Sequence, residues 1–322
     1  MKIDIYTHIV PEKYKAALAK KAPHLESHLA RVPTLFDLGH RFRVMDEFKD
    51  VKQVVTLAMT AGLVLDDPGL AVDFARLAND ETAEIVARYP DRFAAGVASV
   101  PLTDMDAAVQ ELDRAIGELK LKGLQLLASV SNKPLDLREL MPLFEKMAAY
   151  DLPVWIHPAR SLDRSSYQHY LMDVVFGWPY ESTAVMTHLA LEGLFERFPG
   201  IKILIHHCGA LVPFFTHRIA EIDEASSLLQ GMSAAGRLNR PLIDYLKMFY
   251  ADTALSGNAA GLMCGRAFYA ADHLLFGTDM PYDNKLGALN TRETIRSIEE
   301  MTIPDAEKRM IYADNAQRLL RL

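Results

Sequence analysis

Eight short runs of β-branched and aliphatic residues recur along the chain, and the stretches between them are longer and carry helical spacing. This alternation is the signature of βα units and a parallel sheet. The strand candidates are Ile3–Tyr6, Val51–Leu57, Phe93–Val100, Gly123–Leu127, Pro153–His157, Ile201–His206, Met248–Ala251 and Leu274–Gly277. Between them, Leu70–Arg88, Met105–Leu119 and Leu137–Tyr150 place apolar residues three and four apart, as helices covering the outside of a barrel do. Asp305–Leu322 reads as a final helix, with Pro304 and Asp305 suited to its first turn. Eight such units predict an α/β fold of the (β/α)8 TIM-barrel type, formed by residues 1–322 as a single domain. A doubly wound open sheet also alternates strand and helix, but no Gly-rich phosphate loop follows the first strand, where Tyr6-Thr7-His8-Ile9-Val10-Pro11 stands instead.

Two segments depart from the rhythm: Pro11–His40 and Arg160–Pro179. Both follow strand C-termini, the face on which barrel loops build active sites, so loop insertions there are candidates for a lid or a substrate wall, with an ordinary solvated loop as the alternative.

Composition narrows the function classes. The formal charge of −7 is spread along the chain without a basic face, which argues against nucleic acid as a partner. No apolar run approaches the roughly 20 residues that span a bilayer, and the interrupted opening MKIDIYTHIVPEKY does not read as a signal peptide, so no membrane partner and a cytoplasmic location are expected. Cys208 and Cys264 are the only cysteines, which leaves no disulfide framework and requires any metal to use imidazole and oxygen ligands. Cys208 follows two histidines, but strand neighbours point to opposite faces and a buried inert thiol is the commoner arrangement.

Polar residues mark one rim of the expected barrel. His8 follows strand one, His157 closes strand five, His206 and His207 end strand six, and Asp279 follows strand eight. A single histidine in such a place is more often structural. Several strand ends carrying His or Asp together point instead to a divalent cation, which needs neutral imidazoles and carboxylates converging from rigid supports. His206 and His207 are adjacent, so only one can face the axis from the strand; both parities of Ile201–His207 are apolar, and periodicity leaves the choice open.

The chain resembles the amidohydrolase superfamily in its aminocarboxymuconate-semialdehyde decarboxylase branch. The residues that carry the resemblance run nearly end to end: IDIYTHIVP at the start, NDETAEIVARYPDRFAAGVASVP from Asn79, WIHP from Trp155, LEGLFERFPGIKILIHHCGALVPF from Leu191 and LLFGTDMPY from Leu274. The resemblance implies His8, His157 and Asp279 as metal ligands, and counting back from Pro213 and Phe214 implies His207 as the catalytic histidine, with Asp279 sharing proton handling. It implies one divalent metal, zinc first and manganese as the alternative. It also implies a small carboxylic acid substrate and a homodimer, with Arg218 matching an arginine that meets substrate carboxylate, sometimes across the dimer interface. Tyr6 departs from the family's pattern, standing where a first His or Glu ligand is usual; it can ligate as phenolate, sit behind the ligands, or mark a weakened site. Arg160 can clamp a carboxylate, and Trp178 and Tyr282 can pack on an aromatic ring, each with a loop or core role as the alternative.

The expected function is therefore metal-dependent, non-oxidative decarboxylation of an aromatic or conjugated unsaturated carboxylic acid. Hydrolysis or hydration of a lactone, amide or activated double bond is the runner-up, and a non-catalytic barrel is the third reading.

Overall fold

A computed structural model of the chain describes residues 1–23, 30–58, 68–130, 133–159, 171–225 and 238–322. Eight parallel strands form the framework: β1 Lys2–Ile9, β2 Val51–Leu57, β3 Phe93–Gly96, β4 Leu124–Leu127, β5 Val154–His157, β6 Ile203–Ile205, β7 Tyr250–Asp252 and β8 Leu274–Leu275. One ladder runs β1-β2-β3 and another β8-β7-β6-β5-β4. Two seams join them. Thr7 bridges to Met280, with Ile5 N–H donating to Phe276 O at 2.8 Å; Ala98 bridges to Leu124, with Gln125 N–H donating to Ala98 O at 2.8 Å. The ring is thereby closed, and the chain is a TIM barrel.

Strand parity sorts the apolar residues into two shells. Ile3, Val54, Trp155, Leu204 and Leu275 pack together inside the barrel, while Ile203 and Ile205 join Leu126, Ile156 and Met186 in the layer between strands and helices. Ala313, Ala316, Leu319 and Leu320 belong to the inner group, so the C-terminal segment closes the end of the barrel near Ile3. That segment is not the single regular helix its sequence suggests. Asp305–Arg309 and Asn315–Leu320 are α-helical, with a wider π turn over Met310–Asp314 between them.

The expected helices form over Pro68–Arg88, Met105–Gly117 and Met141–Tyr150. The segment after β1 contains more order than its sequence suggests. Glu12–Lys21 is helical, and because its cap residue Pro11 offers no side-chain acceptor, Glu81 reaches across to accept Lys13 N–H and Tyr14 N–H, each at 2.9 Å. A second helix, Leu38–Met45, is capped by Asp37 and carries Arg41, which is fully buried. Arg41 donates to His8 O at 2.7 Å, Thr7 Oγ1 at 2.9 Å and Gln53 Oε1 at 2.8 Å. A buried guanidinium so occupied ties this segment to the C-terminal half of β1.

β1 itself is irregular. Its pairing with β2 shifts between Asp4 and Thr7, so one extra residue is accommodated there. Such bulges re-aim side chains near active sites. Here the shift lets Tyr6 join Ile3 and Ile5 in the inner group, two residues before His8.

Candidate metal and catalytic site

The strand ends bring Tyr6, His8, His157, His206, His207 and Asp279 together. Tyr6 lies at the floor of this group. Its ring meets His8, His157 and His207 edge-on, with centres 4.8, 5.9 and 6.0 Å away, and His206 stacks on its face at 3.5 Å and 17°. Trp178 packs edge-on against His157 at 5.9 Å, and Tyr282 lies 5.4 Å from His8. Arg218 is exposed on the helix Thr216–Ala225, and Arg160 lies outside the described residues. His188 pairs with Glu192 one helical turn on, and His217 is exposed.

Both histidines that end strand six reach the site, by different routes. His206 shares the parity of Leu204 and so points into the barrel from the strand. His207 begins a tight turn in which His207, Cys208, Gly209 and Ala210 all have positive φ, and this turn swings it over the rim. Its Nε2 comes within 3.7 Å of Asp279 Oδ2. Only glycine takes this conformation without strain, and strain of this kind persists where surrounding structure holds it. Asp279 likewise has φ +61. Cys208 is buried, and burial, then the Asp252 carboxylate, pushes its thiol far above the usual range, so it is no nucleophile.

Charge in the site is set by burial and by these pairs. Burial alone would raise the Asp279 carboxyl, but hydrogen bonding and charge from His207 and His8 hold it well below its ordinary value, so it is ionised. Burial lowers His157 well below the usual imidazole range, helped by His8 and His206, so it is neutral. For His207 burial opposes protonation, yet Asp279 outweighs it and raises the imidazole. Tyr6 is pushed well above the usual phenol range by burial, then by Asp279 and Asp252.

The hydrogen bonds of the site leave lone pairs that a cation would satisfy. The Thr56 hydroxyl is 3.1 Å from Thr7 O and 3.1 Å from His8 Nδ1. A carbonyl can only accept, so the hydroxyl proton goes to Thr7 O and the hydroxyl accepts from His8 Nδ1–H. With Nδ1 so engaged, Nε2 faces Asp279 Oδ1 at 3.0 Å, where it can give the hydrogen bond that lowers Asp279 only if His8 carries both protons; with one, the contact is acceptor against acceptor. A second proton or a shared cation removes the conflict. With metal–ligand bonds near 2.1 Å, adjacent ligand atoms stand ~3 Å apart at right angles and ~3.4 Å apart in a tetrahedron, close to the spacing of this pair. His157 gives Nδ1–H to Pro158 O at 2.5 Å, which leaves its Nε2 lone pair for a ligand. Among the described residues no three His, Cys, Asp or Glu side chains already form a complete cage. The donor chemistry and the preset His8–Asp279 pair nevertheless fit a divalent cation, with His157, its ring centre 5.1 Å from that of His8, as the further imidazole.

The family model for amidohydrolases matches residues 3–322. The chain belongs to this family. Among curated amidohydrolase relatives, a 2-amino-3-carboxymuconate-6-semialdehyde decarboxylase of Dictyostelium discoideum is 27% identical, with 100% of this chain and 92% of the relative covered. A gamma-resorcylate decarboxylase of a Polaromonas species is 29% identical over 94% of this chain and 91% of its own. Among solved structures, a dihydroxybenzoic acid decarboxylase from Polaromonas, with bound manganese and the inhibitor 2-nitroresorcinol, superposes with a TM-score of 0.83. It is 27% identical and covers 100% of this chain and 97% of its own.

Thr56, Asp252 and Arg41 hold the groups that motifs pick out and belong to no motif themselves, and His206, visible at the end of strand six, adds to them. β7 runs one residue beyond Ala251, the end its sequence suggests, and so carries Asp252 to the rim. Thr56 sits at the C-terminal end of β2, a strand-end position like those of His8 and His157.

Proposed function

We propose that this amidohydrolase is a metal-dependent, non-oxidative decarboxylase of an aromatic or conjugated unsaturated carboxylic acid. The observation that carries the reading is the ionised Asp279 carboxylate lying between His8, at 3.0 Å, and His207, at 3.7 Å. One side of Asp279 faces a cation ligand and the other a proton carrier. The decarboxylase names of the relatives support the same reading.

His8, His157 and Asp279 hold the divalent cation, zinc in this reading with manganese as the alternative, the ion bound in the Polaromonas structure. When bound, the cation neutralises charge on the substrate and draws electron density from an oxygen beside the reacting carbon. Tyr6 is left out of the ligand set. His207 is the proton donor. Asp279 favours its charged form, and its side chain is 18% exposed, enough to take a proton back from solvent. Proton transfer to the ring carbon bearing the carboxylate breaks aromaticity; cleavage of the carbon–carboxyl bond then returns the electron pair to the ring and releases CO2.

Trp178 and Tyr282 line the sides on which a flat ring would rest, and Arg160 lies in the segment expected to cover it. Arg218 serves a homodimer in this reading. Phe214, Phe215 and Ile222 are exposed around it, an apolar face suited to a second copy whose site Arg218 would enter. Residues 1–322 act as one domain. The test is product analysis with carboxyl-labelled hydroxybenzoates and metal-loaded protein: label appearing in CO2 supports the proposal, and uptake of solvent oxygen without CO2 would replace it with hydrolysis or hydration.

A further inference from the structure

Tyr6 presents a buried hydroxyl that makes no hydrogen bond of normal geometry among the described residues, although the Asp279 carboxylate lies close enough to act on it. Buried tyrosine hydroxyls ordinarily find one. The nearby carboxylate of Asp279 directs its oxygens to His8 and His207. The ring beneath the hydroxyl is held on every side, by three imidazoles edge-on and by His206 flat against its face. A phenol fixed in this way has not been left idle by looseness.

His206 is itself fixed. It donates Nδ1–H to Asp252 Oδ2 at 2.7 Å, and the other oxygen of Asp252 accepts Ala254 N–H at 3.0 Å and Cys208 N–H at 3.3 Å. Asp252 and His206 are both fully buried. Gly277 lets Asp252 and Tyr6 approach one another: a Cβ at that position would lie 2.9 Å from Asp252 Cβ and 3.1 Å from Tyr6 Cβ. Asp252, the Nδ1 edge of His206 and the Tyr6 ring are therefore held, and of the two buried polar atoms left without a partner, His206 Nε2 and the Tyr6 hydroxyl, the hydroxyl is the one that carries a proton to donate.

A neutral O–H offers a proton, which a cation repels and a carboxylate oxygen accepts. We propose that the Tyr6 hydroxyl is a hydrogen-bond donor to an oxygen of the bound carboxylate, and that His206, oriented by Asp252, is the positioning residue that aims it. The inference rests on the carboxylic acid reading above and assigns to Tyr6 a substrate-selecting role in place of a ligand's. It accounts for a residue type that is poor for metal binding at this place.

The test is Tyr6→Phe, which keeps the ring and the stack and removes the donor alone. Binding of salicylate, 2,6-dihydroxybenzoate and benzoate to metal-loaded protein is measured by calorimetric titration, beside metal content and Tm. Relative to the unsubstituted protein, Y6F binds the best of these probes ~10–100-fold more weakly, retains its metal, and melts higher without ligand because an unpaired buried hydroxyl is gone. Metal loss from Y6F makes Tyr6 a ligand and overturns the proposal. Unchanged probe affinity overturns it too, while leaving the decarboxylase reading standing. If the unsubstituted protein binds none of the probes and releases no CO2, the carboxylate reading itself fails. His206→Ala separates positioning from general damage: it weakens binding in the Tyr6 background and has little effect in the Y6F background. Equal losses in both backgrounds remove His206 from the proposal.

Discussion

His8 Nε2 and Asp279 Oδ1 face each other at 3.0 Å across the seam where the last strand meets the first. Thr56 decides what this pair can hold, because its hydroxyl accepts a hydrogen bond from His8 Nδ1–H and so fixes the tautomer that leaves Nε2 free for a ligand. Thr56→Val keeps the shape and removes that control. Metal affinity falls by ~10–100-fold, the usual scale for loss of a group that orients a ligand. Competition against a chelating dye measures it, and an unchanged affinity would remove Thr56 from the site.

Complete removal of metal is the stronger perturbation. After exhaustive chelation the protein loses its decarboxylase activity, and zinc or manganese restores it; Asp279→Asn prevents the restoration. Loss of several kcal/mol of charge stabilisation corresponds to a fall of about a thousandfold or more in kcat. Full activity in metal-depleted protein, checked by elemental analysis, would contradict the ligand assignment.

The barrel was legible because a parallel strand buried on both faces must be an apolar run, and eight such runs stand out against amphipathic helices. The rim positions of His8, His157 and Asp279 were legible for a related reason, since strand C-termini are where a barrel places its chemistry. Strand periodicity left the choice between His206 and His207 open, and only the family resemblance pointed to His207. The choice depends on a turn with four consecutive positive-φ residues, three of them non-glycine, which no propensity favours. Order within Pro11–His40 was hidden as well, because the cap of Glu12–Lys21 is Glu81, far away in sequence. Contacts made across the fold leave no local mark.

The turn carrying His207 stores measurable strain. Ala210 has φ +55 and ψ −116, a conformation that only glycine adopts freely. Ala210→Gly relieves the strain and loses part of the gain to greater freedom in the unfolded chain, for a net stabilisation of up to about 1 kcal/mol. The same change loosens His207, so kcat falls several-fold while Tm rises. A lower Tm would show that the Ala210 methyl packs better than its backbone angles suggest.

Arg41 carries a larger share of stability than any surface ion pair. Arg41→Met leaves His8 O, Thr7 Oγ1 and Gln53 Oε1 without their donor. Stranding buried polar groups in this way costs about 3–5 kcal/mol. Urea unfolding gives the value. By contrast Arg292→Ala, which breaks an exposed pair with Glu47, costs well under about 1 kcal/mol.

Asp4 makes stability depend on pH. Its carboxyl is raised from 3.8 to about 7, chiefly by burial, against the lowering effect of the Thr278 hydroxyl and of backbone N–H groups from Tyr6 and Thr278. Between these values the folded chain binds more protons at Asp4 than the unfolded chain does. Stability from this residue is therefore fully present below about pH 4 and is lost as pH rises through 7. Asp4→Asn removes the dependence: its amide oxygen can accept the two backbone N–H groups, and its NH2 can donate to the Thr278 hydroxyl. The stability of D4N relative to the unsubstituted protein then increases between pH 4 and pH 8 by up to a few kcal/mol. Chemical unfolding at both pH values measures the difference. Parallel pH profiles for the two proteins would mean that Asp4 stays ionised, held by the buried Arg41 charge nearby.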